Sequence, residues 1–338
     1  MNVLVTGGAG FIGHHVIEYI LDNTDWNVIS LDRLDFSGNL NRLSDIMKDR
    51  PDKKRVRSVF HDLKAPINEQ VSKMIGNVDI ILHLAAASHV TRSIVNPMEF
   101  VESNVIGTVN LLEYAKTVPN LIRFIYFSTD EVFGPAIDDA TYFTEYDRYN
   151  ATNPYSASKA AAEEMCVAFE NTYKIPLYIT HTMNVYGERQ ATEKYIPLSL
   201  KKMINNERLT IHYDSHTGNI GGRSYLYAKD VASALLFILN LKDVKPEYPH
   251  YGGKCPKFNI AATDSLDNLY VAKLISQGTG VPLEYDLIDP NIDRPGHDFK
   301  YLISGDYLRS LGWSEKYNVS DNIPRVAKWY FDNPIWLK

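Results

Sequence analysis

Through the first half of the chain, short β-rich apolar runs alternate with longer segments whose apolar positions recur at three- and four-residue spacing. Val3–Thr6, Val28–Leu31, Val56–Phe60, Asp79–Leu84, Ile122–Ser128 and Leu177–Thr182 read as strands. Between them, Ile12–Leu21, Leu40–Lys48, Ile67–Ile75, Met98–Thr117 and Tyr155–Tyr173 read as helices. Strands separated by helices imply right-handed crossovers, so the pattern predicts an α/β fold with a doubly wound parallel sheet. After about residue 183 the rhythm changes: Pro, Gly, Asn and Tyr become frequent, and the helical patterns Pro197–Asn206, Lys229–Leu239 and Ser265–Gly278 stand between irregular segments. That predicts a smaller region lying over the carboxyl edge of the sheet, where open α/β sheets bind ligands.

Composition narrows the class. The 338 residues suffice for one large or two modest domains, and 45% hydrophobic with 22% charged residues is globular rather than disordered. A formal net charge of −6 gives no basic face for nucleic acid, and Lys53-Lys54-Arg55 and Lys201-Lys202 read as solvated surface. The longest apolar run, Val231–Leu241, is interrupted by Ser233 and Asn240 and fits a buried helix rather than a membrane span. The chain opens directly into a strand rather than a targeting segment. Two distant cysteines, Cys166 and Cys255, support neither a disulfide framework nor a metal site, and the expectation is a cytoplasmic protein.

The first candidate site follows the first strand. In Thr6-Gly7-Gly8-Ala9-Gly10-Phe11-Ile12-Gly13, three glycines (Gly7, Gly10, Gly13) are spaced G-x-x-G-x-x-G where a helix opens. Glycine permits the tight turn and close backbone approach to a pyrophosphate, and the helix N-terminus offers free N–H groups. Asp32, at the end of the second strand, suits the ribose hydroxyls of an adenosine and disfavours a 2′-phosphate, although Arg33 beside it weakens that exclusion. The reading is a Rossmann-type site for NAD, with Phe11, Ile12, Leu63 and Ala85 along the cofactor and Asp62 at the adenine edge.

A second candidate site is Tyr155-Ser156-Ala157-Ser158-Lys159, which sets a phenol and an ammonium at i and i+4 on one helix face behind Pro154. A nearby ammonium is expected to lower the phenol's pKa, making it a base for a sugar hydroxyl during hydride transfer. The glycine turn, this pair and the block Ser128-Thr129-Asp130-Glu131-Val132-Phe133-Gly134 resemble the extended short-chain dehydrogenase/reductases, most of all the nucleotide-sugar 4,6-dehydratases acting on dTDP-glucose or UDP-glucose. The resemblance runs from Val3 to Asp293-Arg294-Pro295-Gly296-His297-Asp298. It implies a Rossmann domain at 1–183 and 224–261, a nucleotide-sugar domain at 184–223 and 262–338, and a homodimer.

Asp130 and Glu131 are the discriminating residues, because an epimerase needs only to oxidise, rotate and reduce, whereas a dehydratase must also remove water, which demands a further acid and base. Tyr155 and Thr129 would serve the C4 hydroxyl, Glu131 the C5 hydrogen and Asp130 the departing C6 hydroxyl, with Lys159 supporting the phenol. Adjacent residues on a strand point to opposite faces, so the pair can act together only if the strand has ended by Thr129. The resemblance also implies substrate contacts from Ser88, Asn184, Lys194, Arg223, Asn259, Arg294 and His297. It departs from the family at Ala87, Thr91, Phe133 and Ser224-Tyr225. His89 and His181 read as pocket wall or satisfied core. A UDP-sugar 4-epimerase, a UDP-glucuronate decarboxylase and a catalytically silent NAD-sensing regulator remain alternatives. For the dehydratase reading, a place in deoxysugar (rhamnose-type) biosynthesis is implied.

Overall fold

A computed structural model describes residues 1–136, 141–213, 218, 220–242, 244, 255–289 and 301–338. The first half builds β1 (Asn2–Thr6), α1 (Phe11–Asn23), β2 (Asn27–Asp32), α2 (Leu40–Met47), β3 (Val56–Phe60), α3 (Glu69–Ile75) and β4 (Ile80–His83). It continues with α4 (Val90–Val95), α5 (Pro97–Phe100), α6 (Gly107–Ala115), β5 (Arg123–Phe127), α7 (Pro154–Tyr173) and β6 (Leu177–Thr182). Then come β7 (Val185–Tyr186), α8 (Tyr195–Ile204), β8 (Leu209–His212), β9 (Gly222–Ser224), β10 (Leu226–Tyr227), α9 (Ala228–Asn240) and β11 (Lys257–Ile260). The chain closes with β12 (Ser265–Asp267), α10 (Asn268–Thr279), β13 (Tyr285–Ile288), α11 (Asp306–Ser310) and α12 (Val319–Asp332).

Seven parallel strands form one sheet in the order β11-β6-β5-β4-β1-β2-β3. The winding direction reverses between β1 and β4, where Thr6 lies opposite both Leu31 and His83, so a crevice opens beyond those strand ends. Alternate side chains feed two cores. Val3 and Val5 join α1 and α9 residues such as Ile17 and Leu235 on one face, while Leu4 joins Leu111, Leu112 and Phe169 on the other. Burial on both faces explains why the strands read as continuous apolar runs. A third core, with Leu200 of α8, Ile275 of α10 and Val326 of α12, sits outside the sheet and carries the small strand pairs β7–β10, β8–β13 and β9–β12.

Several elements depart from the sequence expectation. Met98–Thr117 is not one helix: α5 and α6 are joined by a π-helical turn over Val101–Ile106. Ser265–Asp267 is extended, paired antiparallel with Gly222–Ser224, and the helix starts only at Asn268, where Asp267 accepts the Tyr270 N–H (2.7 Å). Ile303, Leu308 and Trp313 pack into the sheet's first core rather than the outlying one, with the Trp313 indole donating to Ser233 (3.0 Å). Among the described residues, no helix is long and apolar enough to cross a membrane.

Candidate active site

The crevice is a cavity of about 1030 Å³, at the upper end of the roughly 300–1,000 Å³ typical of ligand pockets. Its first wall is the turn between β1 and α1. Gly7 has φ +71°, and a Cβ there would stand 2.9 Å from the Ala85 Cα. A Cβ on Gly13 would stand 2.1 Å from the Gly7 carbonyl oxygen, so helix and turn meet backbone to backbone. Gly10, Phe11 and Ile12 complete this wall. Such a cradle fits a pyrophosphate approached by main-chain N–H groups.

Asp32 closes the cradle, accepting the N–H groups of Ala9 (3.1 Å) and Leu34 (2.8 Å), and burial raises its carboxyl above the usual value. Arg33 does not face the cavity as a spare cation. Its guanidinium is held by Asp35 (2.6 Å), Glu99 (3.3 Å) and Asp62 (3.7 Å). Asp62, Leu63 and Ala85 line the same end.

The second wall lies at the ends of β5 and β6. β5 stops at Phe127, and Thr129 is the N-cap of a single 3-10 turn over Asp130–Phe133, accepting the Glu131 N–H (3.4 Å). The tighter turn removes the strand alternation, and both Asp130 and Glu131 line the cavity. Asp130 is 5% exposed; its Oδ1 accepts from the Thr129 hydroxyl (3.2 Å). Its Oδ2 is buried with no hydrogen-bond partner among the described residues. Burial, with the Glu131 charge second, pushes its carboxyl up to about 7, against pulls from Thr129 and Arg223. Glu131 is steadied by the Asn153 amide (3.2 Å), and Asn153 also caps α7, its side chain accepting the Ser156 N–H (2.9 Å).

α7 places Tyr155 and Lys159 on this wall, 8% and 3% exposed. The phenol meets the Thr129 hydroxyl. One expectation is corrected: the phenol is not lowered but raised well above its usual value, by burial first and by Glu131 and Asp130 after it. Lys159 does not relieve it, because its ammonium donates to the Phe127 carbonyl (2.7 Å) and lies 4.2 Å from the Tyr126 ring centroid. Burial lowers that ammonium to about 8.

The far end is lined by Ser88, Asn184, Lys194 and Arg223. Asn259 is a correction: it lies on β11, the edge strand next to β6, at 0% exposure and opposite His181. Its side chain bonds His181 Nδ1 (2.9 Å) and the Phe143 carbonyl (3.2 Å), and its N–H donates to Glu145 (3.0 Å), so it touches core rather than cavity. Arg294 and His297 lie outside the described residues.

Sequence reasoning missed Asn104, which grips the Ala87 N–H (2.8 Å) and carbonyl (3.0 Å) and the Ser158 hydroxyl (2.8 Å), fixing the loop that carries Ser88. Its signal is a poor helix former set inside an apolar helical pattern. Tyr195 and Tyr225, which also line the far end, carried no signal beyond aromatic content.

The sequence model of the GDP-mannose 4,6 dehydratase family matches residues 4–326. The chain is also 35% identical to the dTDP-glucose 4,6-dehydratase of Neisseria gonorrhoeae, over 98% of this chain and 96% of that one. This chain belongs to the nucleotide-sugar 4,6-dehydratase family. Within that family it is equally, 35%, identical to a trifunctional UDP-glucose 4,6-dehydratase of Arabidopsis thaliana, of which it spans 48%. A dTDP-glucose 4,6-dehydratase of Streptomyces venezuelae (DesIV), solved with NAD bound, superposes with a TM-score of 0.84 at 31% identity, each chain covered in full. The nucleotide-sugar 4,6-dehydratase fold thus accounts for both the sheet and the outlying third core.

Proposed function

We propose that the protein is an NAD-dependent nucleotide-diphosphate-glucose 4,6-dehydratase, a hydro-lyase converting dTDP- or UDP-glucose to the 4-keto-6-deoxy sugar. The observation that carries this reading is the buried, half-unpartnered Asp130 carboxyl beside Glu131, facing the cavity next to Tyr155. Two carboxyls in one pocket cannot both ionise cheaply, so one stays protonated near neutral pH as an acid while its neighbour serves as a base.

Gly7, Gly10, Gly13 and Asp32 would hold the cofactor, and Arg33, already engaged by three carboxylates, offers nothing to a 2′-phosphate. NAD, when bound, supplies the two-electron store for the reaction and, while oxidised, a positive charge that opposes the upward push on the phenol. Tyr155 takes the proton of the C4 hydroxyl, with Thr129 bonding the same oxygen, while the hydrogen on C4 leaves with its electron pair for that store. The resulting C4 ketone acidifies C5–H, and Glu131 removes that proton. Asp130 gives its proton to the C6 hydroxyl, which leaves as water. C6 then gains the stored hydrogen and C5 is reprotonated, so the hexose loses one water with no net redox change. Lys194 and Arg223 suit the diphosphate.

The carboxylate pair favours this over an epimerase, which has no proton to move at C5 or C6. The third core would form the nucleotide-sugar domain over the dinucleotide-binding sheet. Two buried unpaired cysteines suit a cytoplasmic setting. An apolar face on successive helices, with Ile94, Val95, Met98, Val101 and Ile106 from 38% to 82% exposed, supports a homodimer. Mass spectrometry of the product from dTDP- and UDP-hexoses, with no added reductant, tests the activity. Loss of one water per sugar is expected, and recovery of a C4 epimer alone refutes it. Val95→Asp should shift the molecule to monomer in sedimentation.

A further inference from the structure

Resting on the dehydratase reading, we propose that Glu163 is a positioning residue for water elimination: from α7 it fixes the end of β5 and thereby the turn carrying Asp130 and Glu131. Tyr155, Lys159 and Glu163 stand at i, i+4 and i+8 of one helix face. Lys159 donates to the carbonyl of Phe127, the last residue of β5, and the Ser128 hydroxyl donates to Glu163 Oε1. Two successive residues at the foot of the catalytic turn are therefore gripped by the helix that also carries the phenol. The next residue, Thr129, begins the turn.

The carboxylate is 0% exposed and is not itself part of the cavity lining, which it reaches by hydrogen bond through Ser128. Burial by itself would raise it, yet it is held at about 2 by His181 (3.1 Å), Lys257 (3.5 Å) and Ser128. The Tyr149 hydroxyl also donates to it. The three strands at this edge of the sheet thus each send it a partner: Ser128 from the end of β5, His181 from β6 and Lys257 from β11. Asn259 completes the set behind His181. With the Asn259 amide donating to the Phe143 carbonyl, its oxygen faces His181 Nδ1, so both ring nitrogens point at acceptors. A buried ion cluster is seldom better for stability than apolar packing of the same volume. What it supplies here is a fixed acceptor for one hydroxyl at the root of the acid–base turn.

The test uses Glu163→Gln holoenzyme with dTDP-glucose and follows two steps separately: the near-ultraviolet absorbance of reduced nicotinamide, and the dehydrated product. Reduced cofactor should build up during turnover while product formation falls about tenfold or more, the scale of a small misplacement of reacting groups. Glu163→Asp, which keeps the charge, should recover part of that loss. Ser128→Ala, which removes only the hydroxyl, should show a smaller version of the same split and add nothing to Glu163→Gln. Equal slowing of both steps, or slowing of neither, overturns the proposal. Should Glu163→Gln not fold, an unchanged split in Ser128→Ala does the same. If the unsubstituted protein makes no 4-keto-6-deoxy sugar, the dehydratase reading fails by itself. Amide exchange at Thr129–Phe133 still decides the positioning claim: Ser128→Ala should exchange faster there than the unsubstituted protein, and equal exchange overturns it.

Discussion

At the β1 end of the cavity the working surface is backbone. Gly7, Gly10 and Gly13 present main chain to the ligand, and a single added Cβ would meet an atom at 2.1 Å at Gly13. At the β5 end it is side-chain charge taken out of water: Asp130, Tyr155 and Lys159 are each at most 8% exposed. The first end is closely packed, and nothing larger than glycine fits at Gly7 or Gly13 without displacing backbone. The second is costly to build, because each group there is displaced from its ordinary protonation behaviour: Asp130 up to about 7, Lys159 down to about 8 and Tyr155 upward. Binding by shape and catalysis by displaced charge make opposite demands on one chain, and the sheet keeps them on different strands.

Substitutions at the charged end should have the largest effects. Tyr155→Phe removes the phenol placed against Thr129, and product formation should fall by about 10²–10⁴, with no reduced cofactor appearing on addition of substrate. Asp130→Asn sharpens the contrast because it should help and harm together. In the folded chain Asp130 holds a proton between its ordinary 3.8 and about 7, where the unfolded chain does not, so its contribution to stability falls as pH rises through that interval. Dehydration should drop by about a hundredfold or more, while stability above pH 7 rises by up to a few kcal/mol. Thermal unfolding at pH 5 and pH 8 checks the sign, and an equal effect at both would break the comparison.

At the backbone end the order reverses. Gly13→Ala should lose about 1–3 kcal/mol of stability through overpacking and weaken NAD binding by about tenfold, with little dependence on pH; calorimetry with NAD measures both. Asn104→Ala should have the smallest effect on activity. It strands the Ala87 N–H and carbonyl at about 1–3 kcal/mol and should raise KM for the nucleotide sugar more than it lowers kcat.

The same division explains what was legible in the sequence. Glycine spacing is a local pattern, and the β1 end could be read from it directly. The Tyr155/Lys159 pair was legible as spacing, but the direction of the phenol's shift was not, since it depends on burial and on where the Lys159 ammonium goes. The Asp130/Glu131 pair needed a strand end that only the Thr129 cap shows. Asn259 looked like a ligand contact because its burial depends on β11 joining β6, a pairing between residues 78 positions apart. The helix expected across Met98–Thr117 hid its π-helical turn, because apolar spacing does not record where a backbone ladder loosens.

The collar of acids around Arg33 bears on how this cofactor site can change over evolutionary time. Neutralising Asp32 alone would remove the ribose anchor proposed above while leaving Arg33 bound to Asp35, Glu99 and Asp62, and freeing Arg33 alone would leave the Asp32 carboxylate in place. Neither single replacement both clears the carboxylate and releases the guanidinium, so a preference for a phosphorylated ribose would take coordinated change at both positions.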